Sequence, residues 1–172
     1  KEEVNALMHL YAEYLVHERQ TLMDHNVRLQ HLGRRDGLPQ PVIRELDESV
    51  RVSSGNTGMV LGMALNYGSR VEITDAVRRI ARRAADGELK PDDVDEALIS
   101  ASLDTAGMPD PDLLIRTSGE MRLSNFLLWQ VSYAEMYVAG VFWPDFSPRR
   151  LREALVAYAQ RDRRFGRVNA SG

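Results

Sequence analysis

MVLGMALN, residues 59–66, is a nearly continuous apolar run. The breaker-rich SSGNTG (53–58) precedes it and YGS (67–69) follows it. The run is too short for a core helix and has no polar alternation. It reads as a strand buried on both faces, the pattern of a parallel sheet. Helical spacing flanks it on both sides, from Val42 to Val52 and from about Arg70 to Ala85. Farther upstream, VRLQHLG (Val27–Gly33) is a short alternating strand. Before it, Lys1 to about His25 reads as one long amphipathic helix, with Val4, Leu7, Met8, Tyr11, Leu15 and Leu22 on one face. Downstream, DGELKPDDVDEAL is a turn into a short helix with Pro91 near its first position. DLLIRTS (112–118) is a second buried strand, and YVAGVFW (137–143) reads as the last one. Ser147 is placed to cap a final helix that has Pro148 in its first turn and runs to about Arg163.

Helices alternating with short apolar strands predict an α/β fold: one domain over residues 1–172, with a mostly parallel central sheet flanked by helices. At 172 residues the chain can bury a real core. Its net charge of −3 argues against a general nucleic-acid footprint. It has no cysteine, which excludes disulfides and thiolate metal sites. No apolar run approaches the roughly 20 residues of a membrane span, and no signal-peptide pattern opens the chain. The expectation is a soluble cytoplasmic protein. The first residues already read as helix interior without an N-cap, so a segment is expected upstream of Lys1.

In a parallel sheet, ligands collect beyond the carboxyl ends of the strands. Two polar clusters fall there: NYGSR (66–70), with Asn66, Gly68 and Arg70, and RTSGEMRLSN (116–125). In the second, Arg116 and Arg122 offer planar forks of donors that match phosphate oxygens. Ser118 and Ser124 add hydroxyls, and Gly119 allows a tight turn. Two arginines with hydroxyls suit a diphosphate better than a carboxylate. The plainer alternative is that both arginines pair with Glu120 and brace the loop. Glu135, in SYAEMY, is a lone carboxylate in an apolar segment and requires a partner, either one of the arginines or a divalent cation.

Other signals are weaker. GNTGM (55–59) lacks the Lys-Ser/Thr ending of a phosphate-binding P-loop and reads as a plain turn. His9, His17, His25 and His31 lack metal-ligand spacing and read as solvated or packed. Trp129 and Trp143 read as core. With no Gly-x-Ser-x-Gly elbow and no cysteine, acyl-enzyme hydrolysis has little support.

DLLIRTSGEMRLSNFLLWQVSYAEMYVAGVFWPDF resembles the C-terminal signature of the cis-prenyltransferases, the undecaprenyl diphosphate synthase family. HNVRLQHLG, GNTG, LNYGSRVEITDAVRRIA and RDRRFG resemble the family's other segments, in the same order. The resemblance runs from Lys1 to Gly166. It implies an undecaprenyl diphosphate synthase-like fold and an enzyme that joins isopentenyl diphosphate to an allylic diphosphate such as farnesyl diphosphate, forming a cis double bond at each addition. It implies that Arg116, Arg122 and Ser124 bind isopentenyl diphosphate and that Glu135 helps hold Mg²⁺. It implies that Arg164 and Gly166 reach toward a partner subunit's phosphate site in a homodimer. Asn66, Gly68 and Arg70 match a further shared motif, Asn66 and Arg70 being read as substrate-binding. The product would be a carrier-lipid precursor for cell-wall synthesis, released through peripheral membrane contact. The family's Asp-Gly-Asn-Gly-Arg-Trp-like loop, with its catalytic aspartate, and its Ser-Glu-Asn-Trp-like motif are expected upstream of Lys1. The other reading is a non-catalytic regulatory or binding subunit that keeps the isopentenyl diphosphate half-site.

Overall fold

The computed structural model describes residues 2–161, so Arg164 and Gly166 lie outside the described residues. Helices and strands alternate as far as residue 116, as the apolar runs imply, and the last strand, at 135–138, then follows across a loop with no helix between. The chain divides into two compact units, Lys1–Ala106 and Gly107–Gly172.

In the first unit, the long N-terminal helical stretch is two helices, α1 (Glu2–His17) and α2 (Arg19–Asp24). The break at Glu18 is slight. Its backbone stays near helical at φ −84° and ψ −3°, and its N–H still donates to Tyr14 O at 2.9 Å. Next come β1 (Arg28–Leu32), α3 (Gln40–Ser53) and β2 (Val60–Ala64), a β-α-β unit. The strands pair in parallel, Arg28 opposite Val60 and Leu32 opposite Ala64. α4 (Ser69–Ala85) and α5 (Glu96–Ala101) follow.

The core of this unit is the contact of α3 with β1 and α1. Val42, Leu46, Ser49 and Ser53 recur at helical spacing and are buried. Leu46 packs with Leu15 and Leu29. Burying a side chain of that size stabilises by about 2–3 kcal/mol. The two buried serines are satisfied locally. Ser49 Oγ donates to Leu15 O at 3.1 Å, and Ser53 Oγ donates to Ser49 O at 2.7 Å. Ser53 Oγ also accepts from the Leu29 N–H at 3.0 Å, so a small hydroxyl lets α3 lie close against the strand. GNTG is the plain turn expected of it. Asn56 Nδ2 donates to Val27 O at 2.7 Å. A Cβ on Gly58 would meet Asn26 O at 2.4 Å, so only glycine fits.

The expectation that residues 59–66 are buried on both faces fails. Met59 is 65% exposed and Leu61 39%. On one face the cause is an open groove, while Gly62 and Ala64 of the other face are exposed as well. Met59, Leu61 and Met63 alternate onto the sheet face shared with Val27 and Leu29, and Leu7, Leu10 and Tyr14 of α1 stand across from them. The side chains line a space of about 690 Å³ instead of filling it.

In the second unit, β3 (Leu113–Arg116) and β4 (Glu135–Val138) pair in parallel, Leu113 opposite Glu135 and Arg116 opposite Val138. α6 (Pro148–Ala159) packs on β4, with Ala154 fully buried. The last strand therefore begins at Glu135 rather than Tyr137, and it stops well before Trp143. After Val138 the backbone turns its carbonyls to the β3–β4 loop, Ala139 O and Val141 O accepting from it. Trp143, expected in the core, opens a short 3₁₀ turn and is 65% exposed, its ring 5.3 Å edge-on to Phe146. Ser147 holds the N-cap position of α6, but its hydroxyl makes no capping bond.

Candidate functional site

Arg116 is the last residue of β3. The loop beyond it is held in an unusual backbone. Ser118, Ser124, Asn125 and Leu127 have φ of 66°, 49°, 63° and 47°, the left-handed region that β-carbons resist. Each costs on the order of 1 kcal/mol, and such strain clusters at functional sites. Gly119, at φ 68°, takes the same conformation freely. Three backbone bonds pin the loop: Ser118 N–H to Val141 O at 2.8 Å, Gly119 N–H to Ala139 O at 3.0 Å, and Ala139 N–H to Arg116 O at 2.7 Å.

The two guanidiniums of the loop converge on one carboxylate. Arg116 Nη2 donates to Glu120 Oε2. Arg122 Nη2 lies 2.5 Å from Glu120 Oε1. Each carboxylate oxygen thus serves one arginine. The hydrogen bond from Arg116, followed by that from Arg122, holds the Glu120 carboxyl below its ordinary range, while burial pulls the other way. The plainer pairing open at the level of sequence is therefore the one seen. Ser124 lies exposed in the same loop. Beside the arginines is a cavity of about 200 Å³, walled also by Thr117, Leu123, Phe126 and Trp143.

Glu135, at the start of β4, has a cation partner that sequence reasoning missed. Arg161 Nη1 donates to Glu135 Oε2 at 2.5 Å, and Arg161 Nη2 donates to Met136 O at 2.9 Å. The arginine-rich C-terminal stretch was the available signal. Among the described residues, no three His, Cys, Asp or Glu side chains gather as a cation cage. One carboxylate suits Mg²⁺ when phosphate and water supply the remaining oxygens, the usual way that ion is held.

In the first unit, Asn66 of the NYGSR cluster ties down the loop after β1. Asn66, at φ 52°, donates through Nδ2 to Arg34 O at 3.1 Å and Asp36 O at 2.9 Å. Gly68 is the extended N-cap of α4, and Arg70 is exposed in that helix's first turn. A buried carboxylate follows the motif. Glu72 is 4% exposed. It accepts from Tyr67 OH at 2.5 Å and from the Asp104 N–H at 2.9 Å. Asp104 in turn accepts from the Gly33 N–H at 2.9 Å. Gly33 sits at φ 118°, where a Cβ would meet Leu65 O at 2.4 Å. Glu72 falls in the buried stripe Ser69, Glu72, Ala76 and Ile80 of α4. A carboxylate at that spacing is the signal that could have found it. The histidines behave as expected: His31 packs with Nε2 3.0 Å from Leu65 O, and His9 pairs with Glu13 on the surface.

The family described as "Putative undecaprenyl diphosphate synthase" matches residues 1–166. An isoprenyl transferase of Geobacillus kaustophilus is 50% identical over 170 residues, 99% of this chain and 66% of that protein. A (2E,6E)-farnesyl-diphosphate-specific ditrans,polycis-undecaprenyl-diphosphate synthase of Legionella pneumophila is 42% identical over 169 residues, 98% of this chain and 71% of that one. Lavandulyl diphosphate synthase from Lavandula x intermedia, solved in complex with dimethylallyl diphosphate, superposes with a TM-score of 0.94 at 38% identity, covering 96% of this chain and 72% of that one. The chain spans about two thirds of the length of the curated relatives it matches.

Proposed function

Since the chain belongs to the undecaprenyl diphosphate synthase family of prenyltransferases, we propose that the protein is a cis-prenyltransferase. It condenses isopentenyl diphosphate with an allylic diphosphate, farnesyl diphosphate being the starter suggested by the Legionella relative. The product is a cis-polyprenyl diphosphate of the kind that serves as the undecaprenyl carrier precursor in cell-wall synthesis. The observation that carries this reading is the convergence of Arg116 and Arg122 on a single anion position at the carboxyl end of a parallel strand.

Two fixed guanidiniums hold the diphosphate of isopentenyl diphosphate and so orient its double bond toward the reacting carbon. Ser124 adds a hydroxyl from the same loop. The groove of the first unit is mostly apolar, with Glu18, Thr21 and His25 also in its lining, and takes hydrocarbon. Mg²⁺, when bound with a diphosphate, supplies positive charge for the leaving group. Glu135 would hold it, exchanging Arg161 for the ion. Tyr133 and Phe142, 76% and 67% exposed around β4, support a symmetric homodimer through that region. Among the described residues no helix is long and apolar enough to cross a membrane. A cytoplasmic enzyme that delivers its product by peripheral membrane contact fits that.

The test is incorporation of labelled isopentenyl diphosphate into an extractable polyprenyl product by the full gene product, with farnesyl diphosphate and Mg²⁺. Metal-dependent incorporation is expected. Binding of isopentenyl diphosphate without turnover would reject the enzyme in favour of a binding module.

A further inference from the structure

Glu120 holds the place that the proposed diphosphate would take. Its two carboxylate oxygens lie one on each guanidinium, Oε2 on Arg116 and Oε1 on Arg122. A phosphoryl group offers the same pair of oxygens to the same two forks, with more charge. Both anions cannot use those donors at once. The side chain of Glu120 is about one third exposed, and Arg122 is more open still at 62%. The carboxylate therefore has solvent to swing into. The neighbouring cavity of about 200 Å³ opens directly on both arginines.

We propose that Glu120 is an internal competitor for the anion site: it occupies the Arg116–Arg122 pair in the free protein and is displaced when a diphosphate binds. This rests on the reading of the two arginines as a diphosphate site. The device has two consequences. In the empty site it keeps two like charges in one loop from repelling each other, so the donors stay in place. It also sets a threshold of affinity, because any incoming anion must replace two charge-assisted bonds that already exist. Weakly binding monoanions fall below the threshold, and a multiply charged diphosphate exceeds it.

A bracing residue and a competitor give opposite results on removal. If Glu120 only braced the loop, its loss would loosen the arginines and weaken binding. If it competes, its loss frees the forks and tightens binding. The experiment is calorimetric titration of inorganic diphosphate into the full gene product, its Glu120→Gln and Glu120→Ala variants, and Arg122→Ala. Exposed pairs of this kind are individually modest, so the expected gain is about threefold to tenfold tighter binding in both Glu120 variants. Arg122→Ala should bind at least about tenfold more weakly than the parent chain. Unchanged or weaker binding in the Glu120 variants, with Arg122→Ala still impaired, would overturn the competitor. Unchanged binding in Arg122→Ala, or none by the parent chain, would overturn the diphosphate site itself and the competitor with it.

Discussion

The apolar groove of the first unit and the arginine loop of the second were both conspicuous in the sequence, but for different reasons. The groove is built from regular elements, with Met59, Leu61 and Met63 on a strand and Leu7, Leu10 and Tyr14 on a helix. Its side chains have the spacing of a core and are left partly uncovered. The loop is built from irregular backbone, with four non-glycine residues in left-handed conformations, and its charged groups pair with each other. One region keeps apolar surface open, and the other keeps charge closed on an internal partner. Periodicity reports which face of an element is apolar, but it is blind to whether that face is filled. Composition of a loop reports which groups gather, but it is blind to which of them pair.

The sharpest way to separate core from groove is to truncate a leucine in each. Leu46 is fully buried between α3, β1 and α1, so Leu46→Ala should cost about 2–5 kcal/mol in urea unfolding. A loss below about 1 kcal/mol would mean that the core has been misplaced. On the loop side, Arg122→Ala in the full gene product should lose about 2–4 kcal/mol in kcat/KM for isopentenyl diphosphate, with KM raised and kcat lowered. Normal kinetics for that substrate would leave the loop as a structural brace. Leu61→Ala should cost about 1 kcal/mol or less in the same unfolding assay, because Leu61 is 39% exposed and lines open space. A loss as large as that of Leu46→Ala would make the groove a core. The smallest effect concerns Glu120. Its carboxyl is held below the ordinary range by Arg116 and Arg122, so the folded state binds that proton less readily than the unfolded state does. The pair's contribution to stability is present above the usual glutamate value of about 4.3 and is lost as pH falls below it. Comparing unfolding of the parent and Glu120→Gln from neutral to acid pH should show the difference shrinking only on the acid side. A difference that does not change with pH would show that the ion pair adds nothing.

Much of the fold was legible. The proline at the start of α6 marks a helix start, GNTG is a turn, and the runs at 60–64 and 113–116 are strands. The errors were local. The strand placed at 137–143 begins at Glu135 because its ladder is set by pairing with Leu113, which a single segment cannot reveal. Trp143 looked like core because aromatic bulk says nothing about exposure. The gathering of Arg116, Glu120 and Arg122 was legible as well, since they are near one another in sequence. The Arg161 partner of Glu135 was not, because it arrives from a distant helix end. Neither was the Glu72–Asp104–Gly33 chain, which joins residues far apart in sequence.

The most direct measurement is the affinity of isopentenyl diphosphate for the full gene product and for its Arg116→Ala/Arg122→Ala double variant, at fixed ionic strength. If the loop is a diphosphate site, the parent chain binds and the double variant binds at least about a hundredfold more weakly, each lost charge-assisted bond counting for about 1.5–3 kcal/mol. Equal affinity in the two proteins would contradict it.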